Sequence, residues 1–229
     1  SLRRSLLPPA AGGLATVAVL ASLGLHKDYA LIAFGLAAFV TTGILMEWYR
    51  GTRSRRRSSG ENYATAFLHL IWANRPRYGG YIVHLSVVMV TLGIVGTSFF
   101  STQKDVVLSP GESVTIKDYE LVFLGSVEIP KSNRTEFIST VQVFRDGKLL
   151  ETLRTTRAFY PSFNMASTRA AVRSTPVEDL FIVPSENLPD GRVGFRILVN
   201  PLIWWMWVAG PVMLVGTVVA LWPQPVRSP

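Results

Sequence analysis

Four stretches of this 229-residue chain, 5–26, 29–46, 78–103 and 197–226, contain no Asp, Glu, Lys or Arg, and they run for 22, 18, 26 and 30 residues. An α-helix needs about 20 mostly apolar residues to cross the ~30 Å hydrocarbon layer of a bilayer. The windows therefore predict four transmembrane helices, and a water-soluble enzyme is ruled out.

The basic residues set the orientation, because short loops rich in Lys and Arg stay on the cytoplasmic side. Arg3 and Arg4 precede the first span, roughly Ala10–Leu25, and Lys27 is the one basic residue before the second, roughly Tyr29–Glu47. Arg50, Arg53, Arg55, Arg56, Arg57, Arg75 and Arg77 then crowd the next connection. That places the first turn outside, the basic loop inside, a third span over roughly Tyr78–Phe100, and a fourth over roughly Val199–Trp222 leading to a cytoplasmic tail with Arg227. Tryptophans gather at membrane–water interfaces. Trp48, Trp72 and Trp222 fall at the expected inner boundary, and Trp204, Trp205 and Trp207 at the outer one.

The formal charge of +8 follows the same pattern. Residues 101–196 hold 12 basic and 12 acidic side chains, while residues 1–100 hold 10 against 3. The excess is a topology signal, and no nucleic-acid partner is expected. Cysteine is absent, which removes disulfide scaffolds, zinc ribbons, a thiol nucleophile and a C-x-x-C haem-attachment motif. The chain opens on Ser1 with no convincing cleavage site after its first apolar stretch, so it is expected to begin inside a longer protein.

Within the basic loop, Glu61–Asn74 sets Ala64, Phe67, Leu68 and Ile71 at helical spacing before Pro76. This helix is expected to lie along the inner surface. The segment after the third span reads as strands. Ser109-Pro110-Gly111, Arg145-Asp146-Gly147-Lys148 and Pro189-Asp190-Gly191 are turn signals between runs rich in Val, Ile, Thr, Phe and Tyr. Val193, Phe195 and Ile197 alternate as a half-buried strand does. Val141 and Val143 face Leu149 and Leu153 across a hairpin at Asp146-Gly147. The expected fold is an α-helical multi-pass membrane protein with an inserted all-β extracytoplasmic domain, a small antiparallel sandwich or open barrel of seven or eight strands. Its layout is three helices over 1–100 with a basic loop and interfacial helix at about 50–77, the β-domain over 101–198, and the last helix and tail over 199–229.

His84 is the sharpest single feature. It lies inside the third span, in Tyr81-Ile82-Val83-His84-Leu85-Ser86, where an ionisable side chain is costly and faces a partner or a site. Its helical face carries Gly80, Val87, Thr91 and Ser98, a stripe suited to packing against another helix or a flat cofactor. Neutral imidazole is an axial ligand of haem iron. A histidine hydrogen-bonded to a neighbouring helix is the plainer reading, and the residues alone leave both open. A second imidazole would have to come from His26 or His69. His26 is at the outer boundary, roughly 20 Å from His84 in depth. His69 would have to fold back past Pro76. A second ligand is therefore expected from sequence outside this chain.

Weaker candidates are read as structural. Asn133-Arg134-Thr135 fits a glycosylation acceptor but reads as a turn. The Trp204-Trp205-Met206-Trp207 cluster reads as interfacial anchoring. Glu178-Asp179 is no acid pair, since adjacent strand residues point to opposite faces. No catalytic residue is assigned.

Five stretches taken together, in order and spacing, resemble the C-terminal part of the CcmF family of cytochrome c-type biogenesis proteins, which includes NrfE. They are Arg77-Tyr78-Gly79-Gly80-Tyr81-Ile82-Val83-His84-Leu85, Ser109-Pro110-Gly111-Glu112-Ser113, Arg157-Ala158-Phe159-Tyr160-Pro161, Pro176-Val177-Glu178-Asp179-Leu180 and Asn200-Pro201-Leu202-Ile203-Trp204-Trp205-Met206-Trp207. The resemblance implies a bacterial inner-membrane subunit of a cytochrome c haem lyase, which takes haem from a periplasmic haem chaperone and supports its covalent attachment to apocytochrome c alongside other maturation subunits. By position, His84 resembles the family's intramembrane histidine that ligates haem b. The family's tryptophan-rich haem-handling segment, its periplasmic haem-ligating histidines and its second intramembrane histidine have no match here. The fragment alone is thus expected to be inactive in ligation. The rival reading is a non-enzymatic scaffold whose β-domain docks apocytochrome or a haem chaperone. A transporter is disfavoured because no span carries an internal charge for coupling.

Overall fold

Arg50–Arg57 continue a helix instead of opening a loop. In the computed structural model, which describes residues 2–223, α2 runs unbroken over Asp28–Ser59. Arginine is a good helix former, and nothing in the run breaks the backbone. The helix stops at Gly60, whose φ of 70° is the left-handed conformation of a C-terminal cap and whose N–H bonds the Arg56 carbonyl. Arg56 and Arg57 in the last turn complement the negative end of the helix dipole. The second helix is therefore longer than the predicted span by its whole basic segment.

The remaining helices among the described residues are α1 (Leu2–Ser22), α3 (Tyr63–Ala73), α4 (Arg75–Phe100) and α5 (Trp204–Leu221). Four helices, all but α3, are long and apolar enough to cross a membrane, and the chain is a multi-pass membrane protein. Asn62 caps α3 by accepting from the Thr65 N–H at 2.8 Å. α3 packs back on α2, with Ala66 fully buried and Phe67 edge-on to Trp48 at 5.5 Å. Pro76, expected to stop the preceding helix, also opens α4, since its missing N–H is one of those left over in a first turn. α5 starts five residues later than the predicted fourth span. Val199–Pro201 is still strand, and Leu202 turns the chain at a φ of 61°. A charge-free run marks neither boundary, because a buried strand and a membrane helix share its composition. The predicted tail with Arg227 lies outside the described residues.

The chain divides into two compact units, the helical one and Phe100–Leu202. The second is an antiparallel β-sandwich, as one of the two predicted architectures had it. Its nine strands among the described residues are β1 (Thr102–Leu108), β2 (Ser113–Ile116), β3 (Tyr119–Pro130), β4 (Thr135–Arg145), β5 (Lys148–Tyr160), β6 (Met165–Arg169), β7 (Ala171–Ser174), β8 (Glu178–Asn187) and β9 (Val193–Pro201). One sheet has the order β1-β9-β8-β7 and the other β2-β3-β4-β5-β6. Alternation along β9 puts Val193, Phe195 and Ile197 in the core, where Phe195 meets Phe123 of β3 edge-on at 5.2 Å.

The hairpin at Asp146-Gly147 has positive φ at both positions, 51° and 71°, the twist that matches two right-handed strands. Val141 pairs with Leu153 as expected. A register shift after Val143 pairs Leu149 with Phe144 instead of Val143. Asn133-Arg134 occupies the tight β3–β4 turn, closed by the Lys131 N–H on the Arg134 carbonyl. Glu178 reaches Lys117 and Arg145, while its neighbour Asp179 is buried, the opposite-face geometry expected of adjacent strand residues.

Candidate functional site

Hydroxyls in the spanning helices fold back on their own backbone. Thr16 donates to Gly12, Thr41 to Ala37, Thr91 to Val87 and Thr217 to Met213, each to a carbonyl one turn earlier at 2.8 to 2.9 Å. In a hydrocarbon setting this satisfies the hydroxyl proton internally. His84 follows the same rule with one difference. Its Nδ1 lies 2.8 Å from the Gly80 carbonyl oxygen. A carbonyl can only accept, so Nδ1 carries the proton, and in the neutral ring Nε2 is left with the lone pair. A backbone carbonyl that fixes one ring nitrogen is the usual outer-sphere partner of a metal-bound imidazole.

The His84 side chain is exposed on its helix, and two apolar recesses flank it. One, of about 310 Å³, is walled by Leu6 and Pro9 of α1, Phe39, Val40 and Gly43 of α2, and Tyr81 of α4. The other, of about 280 Å³, is walled by Leu36, Ala37 and Val40 of α2 and by Val87, Val88 and Thr91 of α4. His84 and Val40 border both. Glu47, at one end of the first recess, pairs with Arg77, and Arg77 Nε donates to the Tyr81 hydroxyl at 3.0 Å. The charge there is internally balanced, so the recess walls offer an apolar surface with one nitrogen lone pair. Among the described residues no group of three or more His, Asp or Glu is placed to hold a metal ion. The donor set therefore does not build a multi-ligand ion cage. A cofactor held here would take a single nitrogen ligand from this chain and rest otherwise on apolar side chains.

Neither of the other histidines joins this site. His26 is exposed in the connection between α1 and α2, and His69 is held by Glu61 at 3.0 Å beyond the end of α2. Gly80, grouped with His84 on a face suited to close packing, has open space where a Cβ would go. The close approach is one residue away. A Cβ on Gly79 would lie 2.5 Å from the backbone nitrogen of Ala220, and one on Gly216 would lie 2.8 Å from that of Val83. Gly216-x-x-x-Ala220 is the small-residue spacing that lets membrane helices touch, a signal present in the sequence and passed over. The Val40 wall had no comparable signal, because it depends on which helix α4 meets.

Residues 99–201 match the family model described as the CcmF C-terminal beta-sandwich. CcmF of Pseudomonas aeruginosa is 29% identical over 212 residues, covering 90% of this chain and 31% of that protein. CcmF of Escherichia coli is 28% identical over 151 residues, covering 66% of this chain and 23% of its own length. The chain thus spans about a third or less of these relatives. A solved structure, Cytochrome c Heme Lyase CcmF, superposes with a TM-score of 0.73 at 25% identity, covering 97% of this chain and 34% of the other.

Proposed function

We propose that the chain is a C-terminal region of the CcmF family and that it holds haem b in the membrane for a cytochrome c haem lyase, with His84 as one ligand of the iron. The observation that carries this reading is the Gly80 bond, which commits Nδ1 and reserves Nε2 on an apolar helix face. Val40, Phe39 and Gly43 on one side and Val87 and Val88 on the other would exclude water from the ring faces. Bound at Nε2, haem iron would supply one-electron redox chemistry, its potential tuned by the axial nitrogen and the dry surroundings.

In this reading a second ligand to the iron would come from protein outside this chain. The β-sandwich faces the periplasm in this reading, beside apocytochrome c, a haem chaperone and other maturation subunits. A scaffold function for the β-sandwich draws on a separate feature: every residue of its edge strand β6 is exposed, and an open strand edge accepts an extended peptide.

The test is the reduced-minus-oxidised optical spectrum of the intact protein carrying this chain, purified in detergent, beside the His84→Ala variant. A haem b signal lost in the folded variant supports the assignment. An unchanged spectrum removes His84 from the iron and leaves the scaffold.

A further inference from the structure

Trp48 marks the expected edge of the hydrocarbon, and past it α2 becomes densely basic. Its 32 residues span about 48 Å, well beyond a ~30 Å core, and Arg53 lies five residues past Trp48, roughly 7.5 Å along the axis. That is the outer edge of the polar layer, since the bilayer with its headgroups is ~40–45 Å thick, and the side chains of Arg56 and Arg57, one turn further out, tilt toward the helix N-terminus and so back toward that layer. There Arg53, Arg56 and Arg57 line a recess of about 340 Å³ with Gly60 and Tyr63.

The recess is charged and uncompensated. Glu61 is the one acidic residue between 48 and 74, and it is engaged by Arg55 at 3.2 Å and His69 at 3.0 Å. Among the described residues, Arg53, Arg56 and Arg57 have no carboxylate partner. Spaced at i, i+3 and i+4, they repel one another. Arg56 is held over the Tyr63 ring, 4.2 Å from its centroid, which orders its planar donor fork at the recess. Several guanidinium forks around one small cavity match the oxygens of a phosphodiester.

We propose that this recess binds the phosphate of an anionic phospholipid in the leaflet where α2 emerges. The headgroup layer supplies that anion at the membrane-facing edge of the recess, and Tyr49 and Tyr63, exposed beside it, are rings of the kind that settle near a membrane surface. The site is independent of His84 and of haem.

The intact protein in detergent is titrated with phosphatidylglycerol and, separately, with phosphatidylcholine of the same acyl chains, and bound lipid is counted by native mass spectrometry. Phosphatidylglycerol is retained preferentially, and each of Arg53→Gln, Arg56→Gln and Arg57→Gln weakens that retention roughly five-fold. Arg55→Gln, whose charge is already paired, leaves it near wild type, and inorganic phosphate does not displace the lipid. Glutamine keeps the helix propensity, and the single variants give the answer should the triple fail to fold. Equal retention of the two lipids, retention unchanged in the variants, or displacement by inorganic phosphate overturns the proposal, the last in favour of a soluble anion.

Discussion

Gly79 of α4 and Ala220 of α5 touch backbone to backbone, so close that a Cβ on Gly79 would lie 2.5 Å from the Ala220 nitrogen and 2.7 Å from its Cα. Neither atom can move without shifting a helix. Gly79→Ala is expected to destabilise the helical unit by about 1–3 kcal/mol, as overpacking does. Gly80→Ala, with open space at the same step, is expected to stabilise it by roughly 0.5–1 kcal/mol through helix propensity. Thermal unfolding of the two variants in one detergent reads the difference, and equal effects would contradict the contact.

The spans were legible because membrane and water impose opposite compositions, and four charge-free windows can satisfy only one of them. Their ends were not. Val199 lies in the last window but is a fully buried strand residue paired with Thr102 and Leu180, and burial in protein removes charge as effectively as lipid does. Arg50–Arg57 read as a loop because positive charge reports the side of a membrane and says nothing about backbone conformation. Within the site, His84 stood out as a lone imidazole in an apolar run. Val40 did not, since one valine in a span resembles any other until its neighbour is known.

Val40 borders both recesses beside His84. Val40→Phe adds a ring to that space at a steric cost of about 1–3 kcal/mol, which corresponds to roughly 5- to 150-fold weaker retention of the haem proposed there. Haem per chain, measured by pyridine haemochrome after gel filtration, is expected to fall with the elution profile unchanged. Full haem content would place the cofactor elsewhere.

Phe195 and Phe123 join the two sheets of the sandwich, at 1% and 0% exposure. Phe195→Ala removes the larger part of that contact and leaves a cavity, costing about 3–5 kcal/mol. Limited proteolysis should cut within 100–202 at a lower temperature than in wild type, with the helices still protected.

Glu61 has its pKa held below the ordinary glutamate range, first by its hydrogen bond to His69 and also by Arg55, with desolvation opposing. A carboxylate with a lowered folded-state pKa contributes stability that is present above its unfolded value and lost as pH falls through the folded one. The contribution of Glu61 to holding the α2–α3 connection should therefore weaken in acid. His69→Ala raises the Glu61 pKa and moves that weakening to higher pH. Hydrogen exchange over residues 58–70 as a function of pH checks both the direction and the site.

α2 is a single rod from Asp28 to Ser59. Val40, at the wall beside His84, and Arg56, on the Tyr63 ring, are 16 residues apart on it, about 24 Å along the axis. Because the helix is unbroken between them, the wall beside the imidazole and the basic turns beyond Trp48 are two stretches of one element, with no flexible joint separating them.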